Sequence, residues 1–277
     1  MKKLSLRVLS CLFLWIGLCG NGQATTTFDN LVVFGDSLSD TGNIFGVRLS
    51  DGDFWVEDLA AYLGADLHCY AYFGATTGHD NPAATPYGYS HTGLLWQIHQ
   101  YDPSLLAETS LVTVWAGGND LRQGYDLVTA ATNIKTALDT LYSDGFRDFM
   151  VPNLPDIGAT PALQFKGEEA AKNASDWTLA FNIILDDILE TFAASHTDAA
   201  LYALDIYSAF NSYEIGTDAW TELFWVGDRL HPSATGHALI ANLAESAVAT
   251  PEPQTVLLFM AGLLGHILAV RKQQNAV

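Results

Sequence analysis

Basic residues and cysteines are both scarce in this sequence of 277 residues. Its 12 lysines and arginines stand against 31 aspartates and glutamates, which gives a formal charge of −19. Such an acidic surface argues against nucleic acid or anionic lipid as the main partner. Cys11 and Cys19 lie close to the amino terminus, so a chain without that segment keeps only Cys69 and has no intramolecular disulfide. The stability of such a chain has to come from its core.

Linkers, repeats and metal-ligand patterns are also missing. No Pro/Gly-rich segment or internal repeat divides the middle of the chain, and 49% of its residues are hydrophobic. One large domain over residues 25–250 is therefore expected. The histidines show no metal-ligand spacing, and the turn at residues 117–120 lacks the spaced carboxylates of a calcium loop. The pattern gives little support to a metal site.

Residues 1–24 are typical of a secretory signal peptide. Three basic residues precede an apolar run over residues 8–19, which is too short to span a membrane. Small residues at Gly22 and Ala24 fit a cleavage site, so the mature chain is expected to start near Thr25. A lipoprotein signal at Cys19 is the alternative, but Leu18 is larger than the residue that normally precedes such a cysteine.

Residues 251–277 form a second unusual segment. A Pro-Glu-Pro sequence at residues 251–253 is followed by an apolar stretch over residues 255–270 and then by Arg271 and Lys272. As a helix this stretch would extend about 24 Å, slightly less than a hydrocarbon core of about 30 Å. A helix docked on the domain is the alternative, but no polar stripe runs along these residues. A membrane segment is therefore favoured, with the basic pair on the cytoplasmic side.

This tail resembles the PEP-CTERM sorting signal of Gram-negative bacteria. The resemblance implies an exosortase-type processing enzyme that recognises and cleaves the tail. It also implies that the protein is released or attached at the cell surface and that the tail lies only transiently in the inner membrane.

Between the two ends, strand and helix patterns alternate. Five short apolar runs, which begin near residues 31, 67, 111, 146 and 200, are typical of buried strands. The second of these strands is predicted to span residues 67–73. Helical periodicity falls between them, with the longest predicted helix over residues 167–194 and the last over residues 234–248. Residues 81–91 and 116–120 are expected to form a loop and a turn. The alternation predicts an α/β protein, a three-layer α/β/α fold with a central, mostly parallel five-stranded sheet.

Polar or glycine-rich turns follow three of the predicted strands. Ser37 follows the first, Gly74 the second and Asn119 the third, so all three are expected at the carboxyl edge of the sheet, where ligands bind. A serine hydroxyl there is a candidate nucleophile if a base can take its proton. Asp228 and His231, three residues apart ahead of the last helix, could supply an orienting carboxylate and the base. The N–H groups of Ser37 and Gly74 and the amide of Asn119 could stabilise an oxyanion.

Each of these segments also has a purely structural explanation. The Gly-Asp-Ser sequence at residues 35–37 is a common turn, and residues 117–120 could be a plain strand-to-helix connection. The Asp-x-x-His-Pro segment could simply begin a helix that Ser233 caps. His237 competes with His231 as the base, but no carboxylate lies at a matching spacing from it.

In this order the segments together resemble the blocks of the GDSL/SGNH hydrolase family. FGDSLSDTGN at residues 34–43 matches the block that carries the serine, and YAYFGATT at residues 70–77 matches the block with the oxyanion glycine. GGND at residues 117–120 and DRLH at residues 228–231 match the oxyanion asparagine and the Asp-x-x-His blocks. Ser39 stands where a GxSxG elbow would have its second glycine, which argues against the α/β-hydrolase fold.

The resemblance implies the flavodoxin-like SGNH-hydrolase fold and a role for each matching residue. Ser37 is implied as the nucleophile, His231 as the base and Asp228 as its orienting partner. Ser37, Gly74 and Asn119 are implied as the oxyanion hole. No metal or organic cofactor is implied.

The long first block looks like that of secreted lipases, esterases and lecithinase/haemolysin-like phospholipases. We therefore expect an exported serine hydrolase that cleaves carboxyl esters, lipid or small-molecule, through an acyl-enzyme at the surface of a Gram-negative bacterium or outside it. Acyl transfer by the same residues and a non-catalytic surface protein that binds polysaccharide are the alternatives. Eight aromatic residues could line an acyl pocket, and several of them could equally belong to the core: Tyr70, Tyr72, Phe73, Trp96, Trp115, Trp220, Phe224 and Trp225.

Overall fold

The computed structural model describes residues 27–102 and 109–249. The predicted signal peptide at residues 1–24 lies outside the described residues, as does the predicted tail with its membrane segment at residues 255–270. Within the described part of the chain, no helix is both long enough and apolar enough to cross a membrane.

A five-stranded sheet forms the centre of the molecule, and its strand pairings are parallel. Its strands are β1 (Asn30–Gly35), β2 (Asp66–Cys69), β3 (Ser110–Trp115), β4 (Asp148–Pro152) and β5 (Ala200–Leu204). They lie in the order β2-β1-β3-β4-β5, which is the flavodoxin-like order. The predicted fold class is confirmed.

Helices connect the strands and cover the sheet. The α-helices are α1 (Trp55–Leu63), α2 (Leu94–Ile98), α3 (Gly118–Gln123), α4 (Leu127–Ser143), α5 (Pro161–Phe165), α6 (Glu168–Ser195), α7 (Ile206–Asn211), α8 (Asp218–Thr221) and α9 (Ala234–Ala249). Two 3-10 helices span Pro82–Tyr87 and Ile157–Ala159. Helices α1 and α9 pack against each other, and α4 packs against α2 and α6. Because parallel crossovers are right-handed, these two groups lie on opposite faces of the sheet.

The central strands β1 and β3 form the middle of the core. Every residue of β3 is buried, and so are the residues of β1 from Leu31 onward, because helices cover both faces of a parallel sheet. At the end of β1, a Cβ on Gly35 would lie 2.2 Å from the carbonyl oxygen of Trp115. A glycine is therefore needed where the end of β1 lies against the backbone of β3. Ser37 comes two residues after this glycine.

Two segments differ from the sequence-based expectation. Residues 81–91, expected to be a loop, contain the 3-10 helix Pro82–Tyr87, which begins where the Asn81 side-chain oxygen accepts a hydrogen bond from the N–H of Ala84 at 3.0 Å. The expected turn at residues 116–120 instead contains the start of α3. Gly124, with φ 71°, caps the carboxyl end of this helix. Each of these two helices has 6 residues. That length is too short for a helical period of apolar residues to show in the sequence.

Candidate active site

Ser37 lies two residues beyond β1 in a tight turn at the carboxyl edge of the sheet. The carbonyl oxygen of Asp36 accepts hydrogen bonds from the N–H groups of Ser39 and Asp40, each at 3.1 Å. The N–H of Asp36 donates to the carbonyl oxygen of Trp115 on β3 at 3.2 Å. The turn is therefore fixed to the neighbouring strand, and Ser37 is 7% exposed.

Gln97 on α2 fixes the end of β1 from the other side. Its Oε1 accepts from the N–H of Gly35 at 2.9 Å, and its Nε2 donates to the carbonyl oxygen of Gly35 at 2.8 Å and to that of Thr92 at 2.9 Å. All of these groups are buried, where an unpaired backbone group costs free energy. The side chain thus satisfies the backbone at the point where β1 bends toward Ser37.

The structure brings Ser37, His231 and Asp228 into one hydrogen-bonded chain. The Nε2 of His231 lies 2.7 Å from the Ser37 Oγ, and its Nδ1 lies 2.5 Å from the Asp228 Oδ2. The other carboxylate oxygen, Oδ1, accepts from the N–H groups of Leu230 and His231 at 2.9 and 3.0 Å. Partial burial opposes ionisation, but these hydrogen bonds outweigh it and hold the pKa of Asp228 below its usual value. The Asp228 carboxylate therefore lies beside the Nδ1 of His231, the ring nitrogen that does not contact Ser37.

The structural explanation of this segment also holds, because Ser233 caps α9. Its Oγ accepts from the N–H of Gly236 at 3.2 Å. His237 lies further along α9 and is fully buried, with its ring centroid 4.4 Å from that of Phe54. Burial lowers the pKa of His237 to about 3, and its Nε2 has no partner among the described residues. His237 is therefore a neutral core residue, and His231 is the histidine beside the serine.

Gly74 and Asn119 lie with Ser37 along one cleft. Among the described residues, the N–H groups of Ser37 and Gly74 have no hydrogen-bond partner. The Asn119 side-chain nitrogen donates to the carbonyl oxygen of Ala75 at 3.0 Å. Three donors that follow three strands therefore lie along the same cleft as the serine hydroxyl, and an oxyanion needs donors of this kind.

Gly74 is the position where glycine is needed for this geometry. Its φ is +80°, and a Cβ would lie 2.6 Å from both the Ala83 Cβ and the Asn81 Oδ1. Asn81 in turn donates from its Nδ2 to the carbonyl oxygen of Phe73 and to the Thr92 hydroxyl, each at 2.9 Å. The loop that carries the N–H of Gly74 is thus held by a buried amide.

Three buried carboxylates surround the serine loop. Burial raises the pKa of Asp36 to about 7 and that of Asp120 to about 6. Asp120 accepts from the N–H and the hydroxyl of Thr77 at 2.9 and 2.8 Å. Asp40 accepts from the N–H groups of Gly42 and Asn43 and, at 2.7 Å, from that of Phe73. Asp40 thereby joins the serine loop to the glycine loop. Asp120 joins the asparagine loop to the same glycine loop.

The cleft that contains these residues has a volume of about 900 Å³. Its walls are mainly apolar and come from α3, α5, α6 and the loop before the 3-10 helix Ile157–Ala159; they include Leu121, Leu154, Ile157, Leu163 and Trp177. Of the eight aromatic residues suggested for an acyl pocket, Phe73 alone lines this cleft. Trp115, Trp220 and Phe224 are instead buried in the core, because in a parallel sheet large apolar side chains also fill the space between strands and helices. Most of the eight aromatic residues therefore do not line the cleft, and an acyl pocket built from them is not found there.

Comparison with known proteins assigns the fold and the sequence blocks to one family. The family model described as GDSL-like lipase/acylhydrolase matches residues 31–244. The chain belongs to the GDSL-like lipase/acylhydrolase family. The predicted resemblance is confirmed, including its second part, because the PEP-CTERM protein-sorting motif matches residues 249–273.

Individual GDSL relatives are distant from this chain. It is similar to a phosphatidylcholine-sterol acyltransferase of Aeromonas hydrophila, with 25% identity over 83% of this chain and 82% of the relative. A GDSL esterase/lipase of Arabidopsis thaliana is 26% identical over 76% of this chain and 75% of its own. A solved structure of a lipolytic G-D-S-L family protein from Veillonella parvula superposes with a TM-score of 0.53 and 19% identity, covering 78% of this chain and 95% of that one. The last comparison shows the shared fold.

Two residues that support the GDSL blocks were missed in the sequence. Gln97 lies on the short helix α2 and belongs to no motif, so nothing in the sequence marks it. Asn81 precedes Pro82, and Asn-Pro is a turn-initiating pair, but the pair does not show that the amide reaches back to Phe73. Among the described residues, no group of three or more His, Cys, Asp or Glu side chains could hold a metal ion.

Proposed function

We propose that this chain is an exported serine hydrolase that cleaves carboxyl esters through an acyl-enzyme intermediate. The observation that carries the proposal is the 2.7 Å contact between the Ser37 Oγ and the His231 Nε2, continued at 2.5 Å from the His231 Nδ1 to Asp228. A serine hydroxyl becomes an effective nucleophile only when a base removes its proton. A neutral imidazole held by a carboxylate is such a base near neutral pH.

In the acylation step, the Ser37 oxygen attacks the ester carbonyl carbon while His231 takes the hydroxyl proton on its Nε2. Asp228 stabilises the imidazolium that forms and keeps the proton on the Nδ1. The tetrahedral intermediate then expels the alcohol, which receives the proton from His231, and the acyl group stays on Ser37. A water molecule repeats the sequence on the acyl-enzyme, gives up a proton to His231 and releases the carboxylic acid and the free serine.

The oxyanion of each intermediate is stabilised by the N–H groups of Ser37 and Gly74 and by the side-chain amide of Asn119. The two N–H groups make no other hydrogen bond within the described residues, so they are available when negative charge develops. Preorganised donors of this kind lower the barrier because they need no reorientation during the reaction.

Acyl transfer to an alcohol is a second candidate, which the similarity to the Aeromonas phosphatidylcholine-sterol acyltransferase favours. The two reactions share the acyl-enzyme and differ only in whether water or another alcohol attacks it. Product analysis in the presence of a competing alcohol distinguishes them: free acid marks hydrolysis and a new ester marks transfer.

Export is supported by the PEP-CTERM motif. We propose three further steps in the export and processing of the chain. Residues 1–24 act as a cleaved signal peptide, residues 255–270 enter the inner membrane transiently, and an exosortase-type enzyme removes the tail. The intact masses of the protein from the membrane and from the medium test these cleavages. A secreted form that still carries residues 255–270 argues against removal of the tail.

The serine assignment is tested with a fluorophosphonate probe and a para-nitrophenyl ester. The wild-type protein is expected to take up one label on Ser37, and Ser37→Ala is expected to lose the label and at least about 10⁴-fold in kcat. Ser39→Ala is the matched control, because its Oγ contacts the Trp55 Nε1 at 3.2 Å and not the histidine. Labelling of a folded Ser37→Ala variant, or polysaccharide binding without any ester turnover, would contradict the proposal.

A further inference from the structure

Basic side chains in the described part of the chain fall into two groups. Arg48, Lys135, Arg147 and Lys172 each form an ion pair with a carboxylate. Arg122, Lys166 and Arg229 form none within the described residues, although the sequence offers 31 acidic residues for its 12 basic ones.

Arg122 and Lys166 line the same cleft as Ser37 and His231. Arg122 lies on α3, three residues after Asn119, and Lys166 follows directly on α5, whose Leu163 is part of the apolar wall. Arg229 lies between the cleft residues Asp228 and Leu230. The unpaired positive charge of the described protein is thus concentrated around the site that we assign to ester cleavage.

Positive charge in this position has a direct electrostatic consequence. The side chains of Arg122 and Lys166 are exposed, where water screens charge. The apolar walls of the same cleft lower the local dielectric and strengthen the attraction of these cations to an anion. The overall charge of −19 repels anions elsewhere on the surface. A negatively charged substrate is therefore attracted to Arg122 and Lys166, even though the carboxylates of Asp36 and Asp228 line the same cleft.

We propose that Arg122 and Lys166 form an anion-binding subsite, so that the preferred substrate is an ester that also carries a phosphate or carboxylate group. This inference rests on the proposed function of Ser37. The apolar walls bind the hydrocarbon part of the ester, and the two cations bind its charged oxygen atoms. The anionic group can belong to the acyl part, to the alcohol part or to a lipid headgroup, since the chemistry of recognition is the same.

The test uses matched ester pairs with the full-length protein and its variants. The acyl pair is para-nitrophenyl hemiglutarate and para-nitrophenyl pentanoate, and the alcohol pair is meta-carboxyphenyl butanoate and phenyl butanoate. The lipid pair is dioleoylphosphatidylglycerol and dioleoylglycerol in the same detergent micelles. The variants are Arg122→Gln, Lys166→Gln and the double variant. Lys172→Gln is the control, because it removes the same charge from α6 but pairs with Asp176 and does not line the cleft.

In at least one pair, kcat/KM for the anionic ester is expected to fall about 5-fold in each single variant and more than 10-fold in the double variant. The neutral partner and the control variant should change less than about 2-fold. Salt should weaken turnover of the anionic ester alone, because exposed charges are screened. The pair that responds identifies where the anion lies.

Equal changes for anionic and neutral esters in all three pairs would overturn the subsite. Failure of the proposed function looks different, because Ser37→Ala would then leave turnover of the neutral esters unchanged or the wild-type protein would cleave none. Comparing each variant with wild type on the same ester removes differences in intrinsic ester reactivity.

Discussion

The carboxylate of Asp36, the residue directly before the proposed nucleophile, lies 3.4 Å from the side-chain nitrogen of Asn119, a proposed oxyanion donor. Asp36 is 2% exposed, and its other oxygen accepts from the N–H of Leu38 at 3.0 Å. Burial raises its pKa to about 7, although the Leu38 hydrogen bond and the nearby His231 oppose the shift. A buried group next to the proposed oxyanion hole therefore titrates close to neutral pH.

Asp36→Asn is expected to change how stability depends on pH. The folded-state pKa of Asp36 lies above its unfolded value, so its stabilising contribution is complete below about pH 4 and is lost as the pH rises through about 7. The variant cannot ionise and keeps an oxygen for Leu38. Relative to wild type, its free energy of unfolding should therefore rise between pH 4 and pH 8 in denaturant titrations. Asp187→Asn, on an exposed part of α6, is the control, and parallel curves for all three proteins would refute the prediction.

Asp228→Asn is expected to lose activity without unfolding. The asparagine oxygen can still accept from the N–H groups of Leu230 and His231, but its NH₂ group replaces the oxygen that faces the His231 Nδ1. The imidazole then carries its proton on the Nε2 and cannot accept the serine proton. We expect kcat to fall about 10³- to 10⁴-fold, with the thermal midpoint changed by only a few degrees. Activity within 10-fold of wild type would remove Asp228 from the proposed mechanism.

Asn119→Ala is expected to reduce kcat by about 10²- to 10³-fold, equivalent to about 3–4 kcal/mol, with little change in KM, because one oxyanion donor is lost. Gly74→Ala provides a contrast, since a Cβ there would lie 2.6 Å from its neighbours at φ +80°. That variant should lose stability as well as activity. Kinetics together with thermal unfolding separate the two effects, and an Asn119→Ala protein with unchanged kcat would exclude the amide from catalysis.

Gln97→Leu is expected to destabilise the protein by about 2–4 kcal/mol, because it leaves the N–H of Gly35 and the carbonyl of Thr92 unpaired in the core. The carbonyl of Gly35 loses one hydrogen bond but still accepts from the N–H of Tyr72. Gln100→Leu, at an exposed position two residues past the same helix, serves as the control. Denaturant unfolding measures both. A loss below about 0.5 kcal/mol in Gln97→Leu would show that the end of β1 is held by other contacts.

The sequence predicted the parts of this molecule that depend on local pattern. The buried runs of β1 and β3 and the long helix α6 follow from hydrophobic periodicity, and their order required a parallel sheet. The second strand was predicted to reach residue 73 but ends at Cys69, where the Asn43 amide contacts the carbonyl oxygens of Cys69 and Ala71. The N–H groups of Tyr70 and Tyr72 still donate to carbonyl oxygens of β1. The segment is therefore held by β1 together with a side chain from another loop, and no local pattern contains that information.

For the candidate site too, the sequence predicted the residues that lie in recognisable motifs but not the contacts around them. Ser37, Gly74, Asn119, Asp228 and His231 could be selected because each follows a strand or precedes a helix in a recognisable block. Their surroundings depend on contacts between distant segments: Gln97 reaches back to Gly35 across 62 positions. The cleft walls come from Leu163 and Trp177 rather than from most of the suggested aromatics, because burial of an aromatic side chain does not reveal on which side of the sheet it lies.

Ser37 and His231 are separated by 194 positions in the chain, and the helix that follows His231 packs against the first helix after Ser37. During synthesis the serine is therefore made well before the proposed base. A nascent or partly translocated chain therefore holds a hydroxyl without a base, as inert as any other serine. Under the proposed function, ester cleavage therefore requires that the segments carrying Ser37 and His231 are both complete and packed together.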